Sequence, residues 1–118
     1  VSPAGEILGK PTSVEHARCM LRQLSDATHR VISGIAVLCG DQSATDCEVT
    51  EVTFAPLSES LIEQYVASGE PMDKAGGYGI QDTAALFIRG IQGDYFNVVG
   101  LPVRRLCETL EREFGVRI

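Results

Sequence analysis

The sequence holds no apolar run approaching the ~20 residues that cross a bilayer as a helix, and no basic-then-apolar leader opens it. Membrane and secretory readings are therefore not expected. Basic charge is also scarce. Ten Lys and Arg stand against sixteen Asp and Glu, for a net charge of −6 and a pI near 4.8. The ten are scattered, whereas a nucleic-acid groove needs them clustered. A small anion that brings its own divalent cation stays compatible, because the metal offsets charge that an acidic protein would repel. C-x-x-C spacing is absent. Cys19, Cys39, Cys47 and Cys107 sit among apolar neighbours, which predicts buried free thiols in a reducing cytoplasm, not a disulfide or zinc framework. Repeats and linkers are missing too, so the 118 residues read as one domain. With 44 % hydrophobic and 22 % charged residues the composition is ordinary and globular. A chain of this size buries about two-thirds of its unfolded surface, enough for a core without staples.

Three amphipathic stretches predict helices. Thr12-Ser13-Val14-Glu15 reads as a capping box, with Glu15 reaching back. It opens a helix over 13–25 that turns Val14, Ala17, Met20, Leu21 and Leu24 inward. Ser58 caps a second over 58–68, with Leu61, Ile62, Tyr65 and Val66 on one face and Gly69 as its stop. Pro102 opens a third over 102–114, with Val103, Leu106, Leu110 and Phe114 inward. Between them, 29–39 reads as a mostly buried strand, 40–46 as a turn, 46–54 as its alternating antiparallel partner and 84–91 as a further strand. The expected class is α/β.

The stretch from Gly69 to Gln81 holds four glycines, the helix stop included, and almost no periodicity, so its backbone can approach a ligand closely. Its amides, with Lys74 as a point charge and Glu70 or Asp73 toward a metal, suit a phosphate. It is neither a P-loop nor a dinucleotide fingerprint, and a plain connecting loop explains it about equally well. Lys10, in Leu8-Gly9-Lys10-Pro11 before a helix N-terminus, is a weaker second lysine. His16 and His29 are too isolated for a metal pair and read as structural. No Ser, His and Asp arrangement nominates a nucleophile.

The order of Leu8-Gly9-Lys10-Pro11, His29-Arg30-Val31, Glu51-Val52-Thr53-Phe54, Asp73-Lys74-Ala75-Gly76-Gly77-Tyr78-Gly79-Ile80-Gln81 and Val98-Val99-Gly100-Leu101-Pro102 resembles the Maf family of nucleoside triphosphate pyrophosphatases along essentially the whole chain. The resemblance implies an α/β fold with a mixed sheet and flanking helices, related to the inosine triphosphate pyrophosphatases. It implies cytoplasmic hydrolysis of a nucleoside triphosphate to monophosphate and pyrophosphate with a divalent cation, Mg2+ or Mn2+, and a link to inhibition of septum formation. Lys10 and Lys74 would meet the phosphates, and Glu70, Asp73 and Tyr78 would support them. Gln81 matches the dTTP/UTP branch, where an amide can both donate to and accept from the pyrimidine edge. The family's Ser-Pro-Arg-Arg and Ala-Asp-Thr motifs have no counterpart here. By alignment the general-base aspartate would fall just ahead of Val1, so the chain is expected to be an N-terminally truncated domain with an exposed apolar sheet edge that pairs with a second copy. Asp82 and Asp26 stand where glycines are usual, and Ser33 where threonine is; a charge at Asp82 is expected to repel a triphosphate. The alternative from another class is a non-catalytic nucleotide-binding or cell-division regulatory module.

Overall fold

A computed structural model describes residues 1–117. Ser13 begins α1 (Val14–Leu24), its hydroxyl accepting the His16 N–H at 3.0 Å while His16 Nδ1 accepts the Thr12 N–H at 3.0 Å. The residue that reaches back is therefore His16, not Glu15. Glu15 lies one position too early in the turn and instead meets Arg18 and Arg22. Ala17, Met20, Leu21 and Leu24 are buried, whereas Val14, in the first turn, overhangs the packed face and is exposed.

β1 (Thr28–Cys39) and β2 (Gln42–Phe54) form an antiparallel hairpin in register from Thr28↔Thr53 to Cys39↔Gln42. Its turn is only Gly40-Asp41, with Gly40 at φ +60°, as two-residue hairpins require. Residues 42–46, expected in the turn, are thus strand. β1 is not mostly buried: His29 is, and beyond it positions alternate between half-buried and exposed. The cause is the sheet's shape, since β3 (Ile88–Gln92) pairs only with Glu51–Phe54 of β2 and the far half of the hairpin projects past it.

The sheet order is β1-β2-β3 and both pairings are antiparallel, so among the described residues the sheet is not mixed. The passage from β2 through α2 (Glu59–Ala67) and the glycine loop brings the chain to the end of β2 where it must run back. The 84–91 strand is likewise shorter than expected. Thr83–Phe87 is a 3-10 turn that buries Ala84 and Phe87 on one side, and the strand starts at Ile88. α3 (Tyr95–Val99), not anticipated, starts where Asp94 Oδ1 accepts the Phe96 N–H at 2.9 Å. α4 (Val103–Phe114) lies where the third helix was expected and packs on β2. Thr109 is its buried position; Leu106, Leu110 and Phe114 are half-buried, and Val103, beside exposed Phe96, faces out.

The core joins α1, α2, β2 and the loop through Leu21, Leu24, Val52, Phe54, Ile62, Tyr65 and Phe87. The cysteines are free, as expected, but not buried: Cys19, Cys39 and Cys47 are exposed and Cys107 half-buried. They sit on the outer face of α1, at the hairpin turn and on the open face of β2, where no second layer covers them. On the outer edge of β1, Val1 and Arg30 exchange backbone bonds at 2.7 and 3.0 Å, the pattern of an antiparallel pair. Further along β1, Ile32 and Leu38 are exposed.

Candidate functional site

Gly69, at φ +78°, ends α2 and turns the chain into the loop. Pro71 anchors the first loop turn in the interior. Lys74 follows with its side chain laid across Gly79: a Cβ there would come within 2.5 Å of Lys74 Cε and 2.7 Å of Asp82 Oδ2. Lys74 Nζ lies 3.0 Å from Asp73 Oδ1, 3.2 Å from Asp82 Oδ2 and 3.4 Å from the Glu70 carbonyl. The hydrogen bond that Lys74 donates to Asp73, and then the nearby Asp82 carboxylate, hold the ammonium above its ordinary pKa. The same Lys74 bond keeps the Asp73 carboxyl below its usual range. Asp82 is thus ion-paired, not the unopposed charge that the sequence suggests.

Gly76 and Gly77, at φ +80° and +82°, bend the loop toward the Leu8–Pro11 turn, and the Gly76 N–H donates to the Gly9 carbonyl at 3.0 Å. Lys10 is exposed on that turn. It is outside the cleft that Lys74 lines, yet close enough to contribute to lowering the Asp73 pKa.

That cleft, about 380 Å³, has three walls: Val31–Ser33 of β1, the loop from Lys74 to Asp82, and Asn97–Gly100 at the end of α3. Lys74 and Gln81 share it, and the Asp-Lys-Ala-Gly-Gly-Tyr-Gly-Ile-Gln run faces the Val98-Val99-Gly100 run across it. Gln81 is exposed on its wall. The loop's side-chain hydrogen bonds run through Ser68, Lys74, Tyr65 and Thr83 and leave the Gln81 amide out.

Of the other predicted residues, Glu70 accepts from the Thr83 hydroxyl at 3.3 Å and is off the cleft wall. Asp73 is largely exposed and directed at Lys74. Tyr78 is buried between His29 and Phe54, with its hydroxyl 2.5 Å from His29 Nε2. Burial pushes the Tyr78 phenol up and the His29 imidazole down, the latter to about 4. Both are neutral at pH 7, and their pairing ties the loop to β1.

Three contributors escape a sequence reading. Asp82 meets Lys74 only because the loop doubles back over Gly79. The Tyr65 hydroxyl accepts the Gly79 N–H at 3.4 Å, and burial raises its pKa to about 12. Asn97 is fully buried and its Nδ2 donates to the Val31 and Glu48 carbonyls and to Thr50 Oγ1, at 3.1, 3.2 and 2.9 Å. It pins α3 against the hairpin and so fixes the third wall. A lone polar residue between Phe96 and Val98 was the only available signal.

Among the described residues no group of three or more His, Cys, Asp or Glu is placed to hold a metal ion. The carboxylates nearest the cleft, Asp73 and Asp82, are taken up by Lys74. This donor set does not fit a resident divalent cation, which would need several free oxygens.

The family model described as Maf-like protein matches residues 1–113. A Salinibacter ruber protein named dTTP/UTP pyrophosphatase is 54 % identical over 118 residues, covering 98 % of this chain and 58 % of its own length. Proteins of the same name from Symbiobacterium thermophilum and Bacillus velezensis are 51 % and 49 % identical, covering 97 % and 96 % of this chain and 58 % and 59 % of their own lengths. The chain thus spans just under three-fifths of these curated relatives.

Proposed function

The chain belongs to the Maf-like protein family, and from that premise we propose that it serves a nucleoside triphosphate pyrophosphatase that cleaves dTTP and UTP to the monophosphate and pyrophosphate. The observation that carries this reading is the placement of Lys74 and Gln81 on one cleft, a cationic group and a two-way hydrogen-bonding amide at separate points of the same wall. It accords with the names of the relatives.

In this reading Lys74 binds phosphate oxygens and Lys10 reaches the outer end of the triphosphate from its docked turn. Both ammonium groups then stabilise the leaving pyrophosphate as charge develops on it. Gln81 pairs with the O4 and N3–H edge of uracil or thymine. Asp73, Glu70 and Tyr78 support Lys74 and the loop without touching the reacting atoms. A divalent cation, Mg2+ or Mn2+, would be carried by the triphosphate's own oxygens, with no residue of the cleft assigned to it. Asp82 is held by Lys74 and is not assigned as general base.

The reading takes the protein as cytoplasmic, where nucleoside triphosphates are made, and as a homodimer, for which the exposed outer edge of β1 beyond Arg30 is the supporting feature. No described helix is long and apolar enough to cross a membrane.

A second reading, a nucleotide-binding module that regulates septum formation without hydrolysis, is favoured by one fact. Asp82 is the one carboxylate among the described cleft-lining residues, and it is ion-paired. Product analysis separates the two. The pyrophosphatase reading expects the intact natural protein to convert dTTP to dTMP and pyrophosphate without orthophosphate, and Lys74→Met to lose most of the rate. Tight dTTP binding with no product would favour the module.

A further inference from the structure

We propose that Asp82 is a tethered competitor for the ammonium of Lys74, so that it sets how tightly the cleft holds a polyphosphate; this deepens the proposed function and rests on Lys74 being a phosphate ligand. Two acids meet Lys74 and they differ in freedom. The Asp73 side chain is 79 % exposed and can swing into solvent, whereas that of Asp82 is 24 % exposed. The Asp82 backbone is held on both sides, its N–H donating to the Gly79 carbonyl at 3.0 Å and its carbonyl accepting from Ala85 at 3.0 Å. Its carboxylate cannot withdraw far when an anion approaches.

The contact itself is charge without direction. Asp82 Oδ2 lies 3.2 Å from Nζ but is buried without a well-directed hydrogen bond, so it supplies attraction while leaving its own hydrogen-bonding capacity unmet. Nor does Lys74 need Asp82 to keep its course, because its methylenes lie over Gly79, where no Cβ would fit beside them. A phosphate oxygen that reaches Nζ therefore meets a fixed negative charge a few ångströms away, partly shielded from solvent, where like charges repel more strongly than in water. Asp82 lies on the cleft wall next to Gln81, so an anion entering along that wall passes it.

Binding of inorganic tripolyphosphate to the intact protein, by titration calorimetry in metal-free buffer, tests this. Asp82→Asn and Asp82→Gly are both expected to tighten binding about tenfold, with unchanged melting temperature to within a few degrees, and to lower KM for dTTP in the same proportion. In a Lys74→Met background, Asp82→Asn is expected to change tripolyphosphate affinity by less than twofold. If Asp82→Asn binds no more tightly than wild type, or more weakly, the proposal is overturned while Lys74 keeps its role. If Lys74→Met binds tripolyphosphate like wild type, the phosphate role of Lys74 fails, and the proposal with it.

Discussion

The Gly76 N–H donates to the Gly9 carbonyl at 3.0 Å, joining the turn that carries Lys10 to the loop that carries Lys74. Gly76 reaches that carbonyl at φ +80°, a conformation that side chains other than glycine adopt at a cost. The bond makes the two lysines parts of one surface, although only Lys74 lines the cleft. Lys74→Ala should raise KM for dTTP about ten- to a hundredfold, as loss of a charge-assisted bond does. Lys10→Ala should raise it about three- to tenfold, its charge being more exposed. Steady-state kinetics on the two variants and their double decides it; an unchanged KM in Lys10→Ala removes Lys10 from the site.

His29 makes stability depend on pH. Its pKa is about 4 in the folded protein against 6.5 for an ordinary histidine, because burial disfavours the cation. Between those values the unfolded chain binds more protons, so stability rises with pH across the window and is lost as pH falls from about 6.5 to 4. The His29 share is on the order of 3 kcal/mol from the size of that shift. Urea unfolding at a series of pH values should show this slope in wild type and a shallower one in His29→Gln. Equal slopes would mean that His29 is solvated.

Asp26 follows the end of α1 at φ +52° and is exposed. L side chains are strained there, aspartate less than most. Asp26→Gly should therefore stabilise the fold by about 0.5–1 kcal/mol, read as a higher urea midpoint at constant slope. A lower midpoint would show that the aspartate contributes something beyond its backbone angle.

Asn97 gives a test of the cleft wall. Its Nδ2 faces three acceptors, two of them backbone carbonyls of the hairpin. Asn97→Leu removes this donor from all three, leaving the Asp94 N–H on Thr50 Oγ1, and should cost about 2–4 kcal/mol. A loss under about 0.5 kcal/mol by thermal or chemical melting would contradict the pinning of α3 to β1 and β2.

Helices and the hairpin were legible because their signals are local. Ser13 and Ser58 cap as their type predicts, and apolar spacing marks the buried faces of α1 and α2. Errors arose where burial depends on a neighbour that no local pattern reveals. β1 is mostly apolar from Val31 to Leu38 yet half-exposed, because β3 extends only the base of the hairpin. Ala84 to Phe87 looks like strand, but the Ala84 and Phe87 spacing serves a 3-10 turn. In the site, the glycine loop and the motif from Val98 to Gly100 stand out in sequence, and the structure sets them across one cleft. The Lys74–Asp82 pair and the Asn97 pin were not legible, since each joins residues that only the folded loop or helix brings together.

The central claim is that the cleft serves a pyrimidine nucleoside triphosphate whose base is read by Gln81. Pyrophosphate release from dTTP, UTP, CTP, ATP and GTP, measured with the intact protein and with Gln81→Glu, tests it most directly. The account predicts dTTP and UTP ahead of ATP and GTP by about ten- to a hundredfold in kcat/KM, the cost of leaving the amide unpaired once a bound base covers it, and a collapse of that preference in Gln81→Glu. An identical nucleotide ranking in the two proteins, or a wild type that prefers purines, would contradict it.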